Sequence, residues 1–530
     1  MMHERDADDG GDERPSPTLS LPLSKAWAAA AIVVPTIVVT ALPLQAVDLA
    51  YSVRVGDEML RAGSVSTVDT LTLPAHGLEW LNAQWGAQVL LASVFRAGGW
   101  FGLSLLRTLL ILATTGLVYL SCRRNVSSRE AGALTLLGSA FFLGGAALRP
   151  QLFGLACFAL VLWLTSFRHT HPRVLLLVIP VTALWANLHG SFVLGPAWVA
   201  LAALRDAAGG RDRAVRTFIT ALVAAAAALV NPFGPRVFTY VVDLSSDPLI
   251  RRFIQEWRRP TLDPAQGVYF AISVLFLASV VAVVWYIARA GRHPRWPALV
   301  TAVVVAAPAA LSLRGVYWWG MAAPVLLAEV TVPRERARSA EPRGRHVAVV
   351  VGVFGLGLLA MVARWAPFTA QDPPPYSMLT YAPPNITREL RGVLAPGEPI
   401  FNAQLWGSWF EFALPNHPVF ADSRIEVIPS AAWADYLAVS DARPGWQAIL
   451  ERWNIRVIAA RDDQQGPLIS ALDGDAAWTE VYRGDGGAVF VRGETAIVQP
   501  GLQSNIETET RPEAVAARTA PTRVPTPSFE

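Results

Sequence analysis

Long stretches of this chain carry almost no charge, which confines it to folds that hide apolar segments from water or set them in lipid. Such runs fall at about 26–47, 100–121, 131–148, 152–167, 174–187, 190–204, 217–231, 268–288, 297–313, 315–331 and 346–363. About twenty apolar residues cross the hydrocarbon of a bilayer, so the runs predict about eleven spans. The first is too long for a signal-peptide core and has no small-residue cleavage site, and reads as a retained helix. Only 16% of residues are charged, against about 25% in soluble domains. A net charge of +3 is too small to suggest nucleic acid. Cys122 and Cys157 lie in or beside apolar runs without metal spacing, which argues against disulfides and thiolate metal sites.

The arginines between the runs give an orientation. With a cytoplasmic N-terminus, the inner loops hold Arg123, Arg124 and Arg129, then Arg168 and Arg173, then Arg205, Arg211, Arg213 and Arg216, then Arg289, Arg292 and Arg295, and last VPRERARSAEPRGR. The outer side receives a large first loop, 48–98, the turns at Arg149 and His189, the 232–266 loop, Arg314 and everything after Arg364. From 384 to 495 the apolar runs shorten. PIFNA, HPVFADSR and RVIAAR read as strands, AWADYLA, GWQAILERW and PLISALDG as helices, and WTEVYRGDGGAVFVR as a closing hairpin. The chain is thus expected to be an α-helical polytopic membrane protein, 26–365, carrying a small extracytoplasmic α/β domain. A proline-stiffened linker, 366–383, joins them, and polar tails, 1–25 and 496–530, flank them.

Unusual polar residues collect at the outer face. The stretch 47–88, most of the first loop, is about forty residues long, rich in Trp and Leu and acidic, a length usual for function rather than connection. Asp48 is expected where the first span leaves the bilayer. Arg149 in ALRPQLFG, Arg314 in SLRGVYWW, and Asn187 and His189 in LWANLHGSF each sit between two apolar runs. Arginine suits phosphate through its two-pronged geometry, while one alone reads equally well as snorkelling to head groups. Arg107, inside the second span, either faces the bundle interior or marks a later start of that span. IRRFIQEWRRP reads as an amphipathic segment at the interface. ADSR reads by default as a local salt-bridged turn. The histidines form no convincing ligand set, so no metal is assigned.

The stretches VDLAYSVRVGDEMLRAGSVSTVDT and EWLNAQW, then RPQLFG, LWANLHGSFVLG, NPFGP and the ADSR turn, in this order, resemble bacterial polytopic proteins of the GT-C glycosyltransferase type. The likeness covers roughly 26–492. Two positions depart from the usual pattern: Leu49 follows Asp48, and Ser52 stands where His is common. The resemblance implies an inverting transfer of a sugar from a polyprenyl-phosphate donor to an envelope glycan, lipid or protein acceptor at the outer face of a bacterial inner membrane. It implies Asp48 as the base, Arg149 and Arg314 on the phosphate, Asn187 and His189 on sugar hydroxyls, and Trp80 or Trp85 as a stacking face, with anchoring at the interface as the plainer role for each Trp. It admits a divalent metal as cofactor, which no motif here fixes. Two further readings compete: a flippase or transporter of a lipid-linked envelope precursor, and a non-catalytic envelope assembly protein.

Overall fold

The computed structural model describes residues 23–289, 294–331 and 378–493. Residues 1–22 of the first expected tail, the whole of the second, the 346–363 run and most of the expected linker lie outside the described residues.

Helix α1 (Leu23–Ala41) stops short of the expected residue 47. Pro43 has no N–H to continue it, and the freed carbonyls of Leu42 and Pro43 accept from Arg107 Nη2 and Nη1 at 2.5 and 2.9 Å. Arg107 is buried and therefore faces the bundle interior. A two-residue strand, β1 (Leu44–Gln45), leads into α2 (Ala46–Ala62). Asp48 is thus in the first turn of a separate helix, not at the end of a span. A carboxylate there suits the helix dipole. The large first loop is correspondingly smaller, because α3 (Trp85–Arg123) already begins at Trp85. The expected second span is the second limb of α3, after a kink at Gly99, where φ 55° and ψ −150° are glycine's territory. At Gly56 the helices α2 and α3 approach so closely that a Cβ would stand 2.0 Å from the Gln88 carbonyl oxygen. Gly56→Val should therefore push α2 off α3 and cost about 1–3 kcal/mol or more, read as a lowered thermal midpoint of the detergent-solubilised protein.

Helices α4 (Ser128–Phe142), α5 (Pro150–Thr165), α6 (Pro172–Leu175), α7 (Val178–Ala186), α8 (Leu194–Asp206) and α9 (Arg211–Ala227) continue the bundle. Next come α10 (Arg236–Ser246), α11 (Pro248–Phe253), α12 (Val268–Arg289), α13 (Trp296–Leu311) and α14 (Gly315–Val330). Among the described residues two helices, α3 and α12, are long and apolar enough to cross a bilayer unaided, fewer than the expected count. Trp27–Ala41, Pro150–Thr165, Pro172–Ala186 and Trp296–Leu311 are apolar but shorter. Large apolar side chains stand exposed on α1, α9, α12 and α13, among them Ile37, Ile219, Leu222, Val281 and Val303. A monomeric soluble surface rarely shows so much apolar area together.

Helices α5 and α14 are tied at both ends by charge. Beyond the C-terminal end of α5, Arg168 holds Asp206 (3.0 Å) and Glu329 (2.9 Å), and Glu329 also holds Arg205 (3.1 Å). Arg149 and Arg314 stand at the opposite ends of the same two helices. A helix of this length sets the two ends about 24 Å apart.

The C-terminal part contains β2 (Leu379–Thr380), α15 (Pro384–Val393), β3 (Ile400–Asn402), α16 (Gln404–Ala413), α17 (Ser430–Ser440), α18 (Trp446–Arg452), β4 (Val457–Arg461), α19 (Asp462–Asp473), β5 (Trp478–Gly484) and β6 (Gly487–Arg492). Its sheet runs β3–β4–β6–β5, with β3 parallel to β4 and the rest antiparallel. The closing hairpin turns at Asp485–Gly486, both at positive φ. HPVFADSR is not a strand of this sheet: Val419 makes isolated bridges to Thr72 of the first loop and Ile400. This part has a buried cluster of its own, built from Phe401, Phe420, Trp433, Tyr436, Ile458 and Phe490 with Ile250 of α11 against them, and it also packs into the core of the bundle. Trp406, Trp409 and Phe410 share one buried cluster with Val39, Leu49 and Trp100, and β2 pairs with β1. The described residues form one compact unit.

Candidate active site

Three chain segments converge on the start of α2. Ser408 Oγ donates to the Ala46 carbonyl (3.0 Å) and accepts from the Tyr51 amide (2.9 Å), and Ser423 Oγ donates to the Val47 carbonyl (2.8 Å). These bonds fix the backbone that carries Asp48. Arg149 is the N-cap of α5, in extended backbone before Pro150, which starts the helix. Its Nη1 lies 3.4 Å from Asp48 Oδ2, and its Nη2 donates to Glu256 Oε1. Arg314 is the N-cap of α14. Its Nε and Nη2 both reach Glu256 Oε2 at 3.4 Å, and its guanidinium lies 4.9 Å from the Trp257 ring centre. Asp48, Arg149, Glu256 and Arg314 therefore form one chain of charge, each side chain only partly exposed.

Burial alone would raise the Glu256 carboxyl, but Arg149 and Arg314 hold it below the usual carboxylate range. The His189 imidazole is pushed down to about 3 by burial and by Arg314 and Arg149, so it is neutral. Its Nδ1 pairs with Ser191 Oγ at 2.7 Å and accepts from the Ser191 amide. Glu426 reaches the same region from the C-terminal part, accepting from Tyr240 Oη at 3.2 Å. Part of its surface is open to solvent, and its carboxyl end lies against Tyr240. Burial lifts its pKa to about 7, against hydrogen bonds from its own amide and Tyr240. A carboxyl raised on folding contributes stability at low pH and loses it as pH rises through its folded pKa. Thermal midpoints should therefore fall from the normal carboxylate range up to about pH 7 on account of this group, and Glu426→Gln should remove that component of the slope.

The structure brings Asp48, Arg149 and Arg314 together and places His189 within electrostatic range of both arginines. It does not give Trp80 the expected geometry, and it engages Asn187 with the protein itself. The Asn187 amide donates to the Ala183 and Val230 carbonyls, both at 2.8 Å, and its Oδ1 accepts from Trp85 Nε1 at 2.9 Å. Both amide donors are thus spent on the protein, one lone pair of Oδ1 is left for a sugar hydroxyl, and Asn187 fixes the half-buried Trp85. Trp80 is buried against Arg424, 4.7 Å from its guanidinium, and is neither a sugar platform nor an interface anchor.

Arg424 is more than a local turn. Besides Asp422 (2.5 Å) it meets Asp69 of the first loop (2.6 Å) and Glu411 of α16 (3.2 Å), all fully buried. Burial and the neighbouring Asp422 raise Glu411 well above the carboxylate range, so it keeps its proton. Asp69 would also be raised by burial, but Arg424 and Thr72 hold it low.

Sequence reasoning missed Glu256, Tyr240 and Glu426 as parts of the site. Glu256 had a signal: it is the acid within RRFIQEWRRP, an otherwise basic stretch. Among the described residues no group of three His, Cys, Asp or Glu side chains is placed to hold a metal. The acids nearest the site, Asp48 and Glu256, are paired with arginines instead, and do not fit the metal that the resemblance admits.

No family model and no curated protein matches the sequence. Solved GT-C structures match the fold. The apo oligosaccharyltransferase of Archaeoglobus fulgidus is 12% identical, with 89% of this chain and 75% of that one covered and a TM-score of 0.50. ArnT from Cupriavidus metallidurans, bound to undecaprenyl phosphate, is 15% identical, with 89% and 98% covered and a TM-score of 0.50. At these identities the likeness is one of fold.

Proposed function

We propose that the chain is a membrane glycosyltransferase that takes a sugar from a polyprenyl-phosphate donor and passes it to an envelope glycan, lipid or protein acceptor at the outer face of a bacterial inner membrane. The observation that carries this reading is the meeting of Arg149 and Arg314, the N-caps of two 16-residue helices, beside Asp48. Two guanidinium groups and two positive helix ends favour an anion, and a phosphate suits them. The undecaprenyl phosphate in the ArnT structure is a ligand of that class.

In this reading Asp48 takes the acceptor hydroxyl proton as the oxygen attacks the anomeric carbon. The sugar–phosphate C–O bond breaks, and the electron pair leaves with the polyprenyl phosphate, whose charge the arginines meet. Neutral His189 borders the sugar. The exposed apolar side chains face lipid. The short apolar helices complete a bundle of about eleven spans, with the N-terminus cytoplasmic and the C-terminal part outside. Lipid profiling of a deletion strain tests the reading. A polyprenyl-linked sugar should accumulate, and complementation with the intact gene should clear it. An unchanged lipid-linked sugar pool, with an envelope glycan lost nowhere, would count against it.

A further inference from the structure

The arginine pair is already occupied. Glu256 bridges it, one carboxylate oxygen to Arg149 and the other to Arg314. With Asp48 on Arg149, two carboxylates balance two guanidinium groups. A lipid-linked phosphodiester would add a further negative charge to a partly buried, already neutral site, where unmatched charge is costly. It would also need the hydrogen-bond donors that Glu256 now uses. The backbone around Glu256 is fixed: its carbonyl accepts from the Arg314 amide at 2.8 Å, and the Arg258 carbonyl accepts from the Leu313 amide at 2.9 Å. The group free to move is the carboxylate, on a flexible stem.

We propose that Glu256 is the resident anion of the arginine pair, occupying the place of the lipid-linked phosphate and swinging aside when that phosphate binds. This rests on the phosphate reading above. It adds an exchange: the pair stays satisfied when empty, and Glu256 returns to help expel the product phosphate. A phosphate on Arg149 also competes with the long Asp48 contact and so releases Asp48 as a base.

The test is binding of farnesyl phosphate to the full chain in detergent, for the wild type, Glu256→Gln, Arg149→Gln and Arg314→Gln. Glu256→Gln should bind at least tenfold more tightly than wild type, and inorganic phosphate should raise its thermal midpoint more than that of wild type. If Glu256→Gln does not fold, Glu256→Asp, whose shorter carboxylate cannot bridge both arginines, should bind several-fold more tightly. Equal or weaker binding by the Glu256 variants, with binding still lost in the arginine variants, overturns the exchange and leaves the phosphate site standing. Binding unchanged by either arginine substitution overturns the phosphate site, and the exchange with it.

Discussion

Asp48→Asn should lower sugar transfer by about two to four orders of magnitude, the usual worth of a positioned general base. Asn keeps the shape and a hydrogen-bonding oxygen but cannot take a proton at neutral pH. The fold should tolerate it. The backbone of this turn is held by Ser408 and Ser423, and Arg149 keeps Glu256 as its other partner. The donor lipid should therefore still bind while turnover is lost, and the loss should appear in kcat rather than KM. The measurement is transfer of labelled sugar in membranes holding equal amounts of wild-type and variant protein. Wild-type turnover by Asp48→Asn would remove Asp48 from the chemistry.

The largest stability effect is expected at Arg424. Its guanidinium stands between Asp69, Asp422 and Glu411 and against the rings of Trp80 and Tyr51. Arg424→Met keeps much of the stem and removes the charge, leaving Asp69 and Asp422 buried without their cation. Such a deletion costs about 3–5 kcal/mol. Because Asp69 belongs to the first loop and Asp422 to the C-terminal part, the loss should also part these segments, giving faster limited proteolysis within 63–84. Asp69 is held below the normal carboxylate range, so its share of stability is present at neutral pH and lost as pH falls through that lowered value. Arg424→Met should accordingly show a shallower acid limb than wild type. A thermal midpoint within a degree or two of wild type would show that the buried cluster is not a fastening.

The parts that sequence made legible follow from physics local to the chain. Nearly uncharged runs marked the helices of the bundle, and the arginines between them marked the ends of α5 and α14. The short β3, β4 and closing hairpin were readable from β-branched residues and a Gly-Asp-Gly-Gly turn. What was illegible depends on long-range pairing. The stop of α1 at Ala41 needs Arg107 from another helix. The kink between the two limbs of α3 rests on Gly99, which a pattern of apolar residues does not register. The role of Asn187 in holding Trp85 depends on partners up to about a hundred residues away, which no local pattern shows. Glu256 looked like one charge in a surface helix because its partners lie far off in sequence.

The central claim is that Arg149 and Arg314 hold a lipid-linked phosphate beside Asp48. Native mass spectrometry of protein released from its own membrane measures this most directly. Wild type should carry a bound polyprenyl phosphate or its glycosylated form, and Arg149→Gln with Arg314→Gln should carry none while retaining ordinary phospholipid. The same polyprenyl species on wild type and the double variant, or only bulk phospholipid on both, would contradict it.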